Sequence, residues 1–357
     1  MPSHALAALL QAVAVAPQSA LEPAGPGAAR IDRLWDLMLW SGLAVTALVV
    51  ALLLVALFRR RRPDELPPEA DRPGDPRGEH ANVETGGRGR AGEGRPRSER
   101  LGARWMIAGG VVFPAIVLTA LFLLSVRVLG ALYPRRGDTA AVTIEVTGRQ
   151  WWWDVRYLDS APGAAVRTAN ELHLPVGRRV RVRLRSHDVI HSFWVPGLQG
   201  KMDMLPGRVT ETWLQADSAG VWRGQCAEFC GMQHAKMALV VVAEPEAAFT
   251  RWLAGERAPA AEPADSAGLA GRETFLRSGC VYCHAVRGTP AHATVGPDLT
   301  HVAGRRTLAA GELPNNAGNL YGWIANPQAL KPGSHMPAVP MTNEELHAIA
   351  RYLRSLR

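Results

Sequence analysis

The stretch GQCAEFCGMQHAKM, residues 224–237, sets Cys226 and Cys230 four apart, His234 four further on and Met237 three after that. Three chemistries fit such a pattern. A disulfide in an oxidising compartment would use the two cysteines and leave His234 and Met237 without a role. A Cys2His2 zinc site could recruit His191 from upstream, but zinc has no use for a thioether. A methionine selects a soft metal, which points to copper. A mononuclear blue-copper site takes one cysteine, two histidines and a weak axial methionine, which leaves one cysteine over. Two thiolates can instead bridge two coppers, with one histidine terminal on each. Met237 and a backbone carbonyl then supply the weak outer contacts.

Around this loop the chain reads as β. Arg179–Arg185 (RVRVRLR) alternates strictly, with Val180, Val182 and Leu184 on one face. Ala141–Val146, Glu171–Val176, Val209–Leu214 and Ala238–Val242 add short strands, punctuated by Pro206-Gly207 and Gly220. Residues 138–253 therefore predict one all-β domain, a sandwich or barrel, closed by a short helix over Ala247–Leu253. The Pro- and Ala-rich segment 254–268 has a linker's composition.

The second cysteine pair differs. Cys280 and Cys283 stand in CVYCH, followed at once by His284. C-x-x-C-H is the attachment pattern of a c-type haem. Both thiols add to the porphyrin, and the adjacent histidine is held beneath the iron. A methionine on the other axial side raises the potential. Of His335, Met336 and Met341, the Met336 of KPGSHMPA is favoured, because a proline-flanked loop before a final helix holds a sulfur in place. Residues 269–357 resemble the class I cytochromes c, through CVYCH, Gly296–Leu299 (GPDL) and the M-P at 336–337. That resemblance implies an all-α fold around one covalent haem.

Ahead of both domains lie two apolar spans. Leu37–Phe58 and Trp105–Val126 each run 22 residues without a charge until their ends. About 20 apolar residues cross a bilayer as helix. The predicted transmembrane helices occupy 34–58 and 105–130. Pro114 is tolerable in such a helix. Arg59–Arg62 and Arg95, Arg97, Arg100 and Arg104 all fall on the connecting loop, which assigns that loop to the cytoplasm and the metal domains to the opposite side. The loop, 59–104, is rich in Pro, Gly, Arg and Glu and predicts disorder. Residues 1–24 are Ala-rich with A-V-A and Q-S-A sequences that suit a cleaved signal peptide, though no Lys or Arg precedes them. The formal charge of +8 follows topology and solubility. No basic, aromatic-interleaved patch asks for nucleic acid.

The run SHDVIHSFWVPGLQGKMDMLPGR (186–208), followed by GQCAEFCGMQHAKM and preceded by two spans, closely resembles subunit II of the haem–copper cytochrome c oxidases. The resemblance implies a transmembrane hairpin, a cupredoxin-like Greek-key β-barrel and, here, a fused cytochrome c domain as in caa-type enzymes. It implies His191, Cys226, Cys230, His234, Met237 and the backbone carbonyl of Glu228 as ligands of a binuclear copper centre (CuA). It also implies a magnesium shared with subunit I through the Glu228 side chain. In RQWWWDVRY (149–157) it makes Trp151 the residue that receives electrons. Subunits I and III, a soluble or membrane cytochrome c as donor, and the bacterial inner membrane are the implied surroundings. A CuA-bearing nitric oxide reductase would share these motifs. A copper-delivery protein would not need the haem, and quinol oxidases lack the copper ligands. One departure stands out. The family's acid before the second span is absent at its usual spacing, with Glu99 the nearest.

Overall fold

The computed structural model describes residues 18–58, 97–134, 137–158 and 165–357. Most of the candidate signal segment, and 59–96 of the expected disordered loop with the Arg59–Arg62 cluster that sets orientation, lie outside the described residues. The chain divides into two units, Leu34–Arg127 and a larger one holding 1–33 with 128–357.

The smaller unit is helical. Helix α1 (Pro26–Phe58) supplies its first span. It starts eight residues before the expected boundary, with proline in the first turn, where a missing N–H costs nothing. Helix α2 (Arg97–Ile107) passes through a π-helical turn, Ala108–Val112, into α3 (Phe113–Leu132). Pro114 explains the wider turn, because its ring has no N–H to complete an ordinary α-helical step. Both helices are long and apolar enough to cross a membrane, and the apolar windows are unburied. Leu53, Phe58, Met106 and Phe122 all lie open. Water would not leave such surface exposed, whereas lipid covers it.

In the larger unit, ten strands form two five-stranded sheets. The first has the order β3 (Val166–Ala169), β2 (Trp152–Tyr157), β1 (Val142–Arg149), β5 (Val180–Ser186), β8 (Thr210–Leu214). The second has the order β4 (Glu171–Pro175), β10 (Ala238–Glu244), β9 (Gly220–Cys226), β6 (His191–Trp194), β7 (Met202–Met204). Hydrogen bonding thus divides the expected barrel into two facing sheets, with an isolated bridge between Ser186 and Pro206. The alternation in RVRVRLR works as expected. β5 runs parallel to β1 with Val180, Val182 and Leu184 opposite Val142, Ile144 and Val146, and all six are buried. Strands β4 and β10 do not alternate; β4 is buried throughout and β10 up to its last residue. Their outer face is covered by α4 (Glu246–Arg257) and by the C-terminal domain. Trp252 of α4 stacks on His173 at 3.9 Å, and the Ala238 N–H donates to the Ala310 carbonyl at 2.9 Å.

The C-terminal domain is built on α5 (Ser266–Arg277), α6 (Ala317–Ala325), α7 (Pro327–Leu330) and α8 (Asn343–Ser355). Asp265 caps α5 through the Gly268 N–H at 2.6 Å, and Thr342 and Glu345 form a reciprocal capping box on α8. Phe275 and Tyr352 meet in the core with ring centroids 5.6 Å apart. The span 254–268 is less of a linker than its composition predicts. The Ala-, Glu- and Arg-rich start continues α4 to Arg257, and Ser266 opens α5. The intervening piece is fastened by the Ala260 N–H to the Arg287 carbonyl at 2.9 Å.

Two outcomes follow from this packing. Phe275→Ala removes a fully buried ring and is expected to cost the C-terminal domain about 3–5 kcal/mol in urea unfolding. His173 sits between Glu171 at 3.0 Å and Glu244 at 3.4 Å. Burial pulls its pKa down, but the bonds to Glu171 and Glu244 outweigh it and the net shift is upward. A raised folded-state pKa means the contribution is complete below the unfolded value of about 6.5 and lost as pH rises through the folded value. Thermal unfolding should therefore show His173→Gln costing more at acidic than at alkaline pH.

Candidate functional site

The residues of GQCAEFCGMQHAKM form the loop between β9 and β10. Cys226 ends β9 and its N–H donates to the Met237 carbonyl at 2.9 Å, so the loop closes on itself. His191 opens β6, whose Phe193 pairs with Cys226 across the sheet. Six candidate donors converge. Cys226 Sγ lies 3.8 Å from His191 Nδ1 and 3.2 Å from the Glu228 carbonyl oxygen. Cys230 Sγ lies 3.7 Å from His234 Nδ1 and 3.8 Å from Met237 Sδ. The two sulfurs are 3.7 Å apart. A disulfide needs about 2.05 Å, and both cysteines are free.

The arrangement is two-fold in its chemistry. Each cysteine has one imidazole and one weak donor, a carbonyl oxygen for Cys226 and a thioether for Cys230. Separations of this size are what two metal bonds of roughly 2.0–2.3 Å subtend, and the soft sulfur-rich set suits copper. Zinc would leave Met237 idle, yet Met237 is wholly buried among the donors. The donor set therefore fits a copper pair. The paired sulfurs cannot both shed their protons easily without a cation. The neighbouring Cys230 draws the Cys226 thiol strongly down, while Cys226 and burial push Cys230 up.

Residues beyond the ligand set hold it in place. His191 Nε2 is 2.7 Å from Asp188 Oδ1, and the Gln150 N–H donates to the same carboxylate at 2.8 Å. Gly148 lies under the His191 ring, where an added Cβ would come within 2.8 Å of the ring carbon Cδ2. Asp188 and Gln150 escaped the sequence reading. The one hint was an acid three residues before the histidine in SHDVIH. Trp151 donates through Nε1 to the Cys230 carbonyl at 2.9 Å, and Gln150 Nε2 donates to the same oxygen at 2.8 Å. Glu228 points its side chain outward, and among the described residues no cluster of three metal-binding side chains includes it.

The second site is a cavity of about 430 Å3. Cys280, Cys283, His284 and Met336 line it, with apolar walls such as Leu320 and Ile324. His284 Nδ1 donates to the Pro297 carbonyl at 2.8 Å, which fixes the tautomer and leaves Nε2 its lone pair. The Met336 carbonyl accepts from Gln328 Nε2 at 2.7 Å, which ties its loop to α7. Two thiols and an imidazole in an apolar pocket with a thioether fit a covalently held haem. His335, the rival of Met336, sits against Trp151 with ring centroids 5.1 Å apart. Trp151 thus lies between the two sites, its indole N–H bonded to the copper loop and its ring lining the haem cavity.

Residues 160–244 match the family model described as cytochrome c oxidase subunit II, periplasmic domain, and residues 269–357 match cytochrome c. Cytochrome c oxidase subunit 2 of Bacillus sp. (strain PS3) is 32% identical over 253 residues, 68% of this chain and 68% of that protein. This chain belongs to the cytochrome c oxidase subunit 2 family. The namesake protein of Alkalihalophilus pseudofirmus is 42% identical over 225 residues, covering 63% of this chain and 64% of that one, a little under two thirds of its length. Among solved structures, the periplasmic domain of subunit II of cytochrome oxidase of Bradyrhizobium japonicum is 32% identical. It covers 34% of this chain and 96% of that one at a TM-score of 0.32. Membership with both domains implies copper and haem, and a membrane-anchored chain with an exposed metal domain. Asp188→Ala should lower copper affinity about 10–100-fold, read by competition against a chelator, with the haem spectrum unchanged.

Proposed function

We propose that this chain is the electron-receiving subunit of a caa-type cytochrome c oxidase, passing electrons from its C-terminal domain to its β-domain and on to subunit I. Oxygen reduction to water and proton translocation belong to the assembled enzyme. The observation that carries this reading is Trp151, which joins the two sites through one side chain. When bound, the haem and the paired coppers each supply reversible one-electron chemistry.

The roles of the chain's own residues follow from their positions. Cys280 and Cys283 would hold the haem covalently, and His284, oriented by the Pro297 carbonyl, and Met336 would hold its iron. Cys226, Cys230, His191, His234, Met237 and the Glu228 carbonyl would hold the coppers. A site whose donors are fixed by a closed loop and buried strands needs little rearrangement when one electron's charge is shared between two metals. Burial of His191, Cys226, Cys230 and Met237 keeps water from the core of the copper site. Trp151 is the residue through which the two sites communicate.

The remaining parts of the reading concern the assembly. The exposed Glu228 carboxylate is free to share a magnesium with subunit I. A soluble or membrane cytochrome c is the donor class to the C-terminal domain, subunit III is a further partner, and the bacterial inner membrane is the location. The full chain, purified in detergent and loaded with haem and copper, tests the centre. Two coppers per chain with a mixed-valence paramagnetic resonance spectrum are expected; one copper with a four-line pattern would sink the assignment. Cys230→Ser should abolish that spectrum and leave the c-type haem spectrum intact. Trp151→Phe keeps a ring but removes the N–H to Cys230. It should slow electron arrival at the copper without changing the copper spectrum.

A further inference from the structure

Lys331 is an unexpected residue to find inside a protein. It is 3% exposed, and its Nζ donates to three main-chain carbonyls: Trp151 at 3.0 Å, Lys236 at 2.6 Å and Ala309 at 3.1 Å. An ammonium has three donors and no acceptor, so three carbonyls saturate it. Two of the three belong to the β-domain and one to the C-terminal domain. The three carbonyls converge on the amine only when the domains are together in this pose. A different docked pose that still buried the amine would leave some of its donors unpaired, which selects against wrong registers as well as for the right one.

Its place in the chain matters as much as its bonds. Lys331 directly follows α7 and stands five residues before Met336. Gln328 on α7 donates to both Ser334 and Met336 carbonyls, so the loop moves as one piece with Lys331. On the other side, Trp151 and Lys236 flank the copper loop. Neighbouring contacts repeat the pattern. Gln233 Nε2 donates to the Pro332 carbonyl, and Lys236 Nζ donates to the Leu330 carbonyl at 3.2 Å. The Arg306 N–H donates to Glu171 Oε2 at 2.9 Å.

We propose that Lys331 is the positioning residue for electron transfer within the chain, pinning the loop that carries Met336 onto the main chain of Trp151 and of the copper loop. The proposal rests on the relay reading above. Burial draws the Lys331 pKa down to about 8, so near neutral pH the amine keeps the charge that its three acceptors satisfy.

The test uses the full chain carrying haem and copper, with Lys331→Met as variant. Among the described residues, the main-chain amides of Ala238 and Arg306 donate across the domain boundary, and their hydrogen exchange reports docking. Lys331→Met is expected to lower their protection at least about tenfold, equal to ~1.4 kcal/mol, and to slow haem-to-copper transfer after photoreduction. Exchange inside β1 and α5, the methionine-ligation band of the ferric haem and the copper resonance should stay as they were. Lys331→Gln, which keeps two N–H donors, should fall between and serves if the methionine variant does not accumulate. Unchanged protection in both variants overturns the proposal. So does lost protection with an unchanged transfer rate. Loss of the methionine band would also overturn it, since Lys331 would then be building the haem loop. Failure of the relay reading would show separately, as an absent mixed-valence copper signal.

Discussion

The hydrogen bond from the Cys226 N–H to the Met237 carbonyl closes the loop that carries five of the six candidate copper donors. Everything else about the metal site depends on it. With the loop closed, Cys230 and His234 face back toward Cys226, and Met237 is drawn into the core. The sixth donor, His191, arrives by sheet pairing, with Phe193 beside Cys226. A strand slipped by one residue would turn its side chains to the opposite face. The alternating burial of β9, with Trp222, Gly224 and Cys226 turned inward, opposes that slip, because the buried set would be turned outward. Metal geometry is thus inherited from a hydrophobic core that would exist without any metal.

The second organising feature is the contact between the β-domain and the C-terminal domain. It accounts for several otherwise odd residues at once. Glu171 and His173 lie buried on a strand whose outer face would ordinarily meet solvent. The Arg306 N–H, Trp252 and Glu244 satisfy or cover them. Lys331 adds a buried cation held only by carbonyl dipoles. Polar contacts of this kind contribute modest net stability, yet they tolerate few alternative arrangements. The interface is better described as a key than as glue.

Much of this was legible in the sequence, and the reason differs by element. C-x-x-C-H and the cysteine–histidine–methionine loop are local, so spacing alone carries their chemistry. RVRVRLR is legible because one face of β5 meets the core and the other meets solvent. Glu171–Val176 and Ala238–Val242 are legible as strands but show no alternation, because α4 and the C-terminal domain cover their outer face. GVWRGQC in β9 and HSFW in β6 carry no clear strand signal, β9 because glycines stand at both ends of its VWR run and β6 because it is four residues long. Asp188, Gln150 and Lys331 were invisible for a further reason. Their roles consist of contacts to residues 3 to 180 positions away, and a single charged or amide residue in a loop carries no pattern. The connection over 254–268 misled because Pro and Ala content reports flexibility only when nothing nearby accepts hydrogen bonds.

Trp151 is 9% exposed, sheltered beneath His335 and the carbonyl-bound Lys331. Its neighbours across the domain contact are therefore already in place. Charge-steered encounters between separate proteins slow steeply as ionic strength rises, because salt screens the fields that bring them together. A handover across a standing interface has no encounter to screen. On the proposed relay, the salt-sensitive event is displaced outward, to the arrival of a donor at the C-terminal domain, and the internal step is insulated from the surrounding ionic composition.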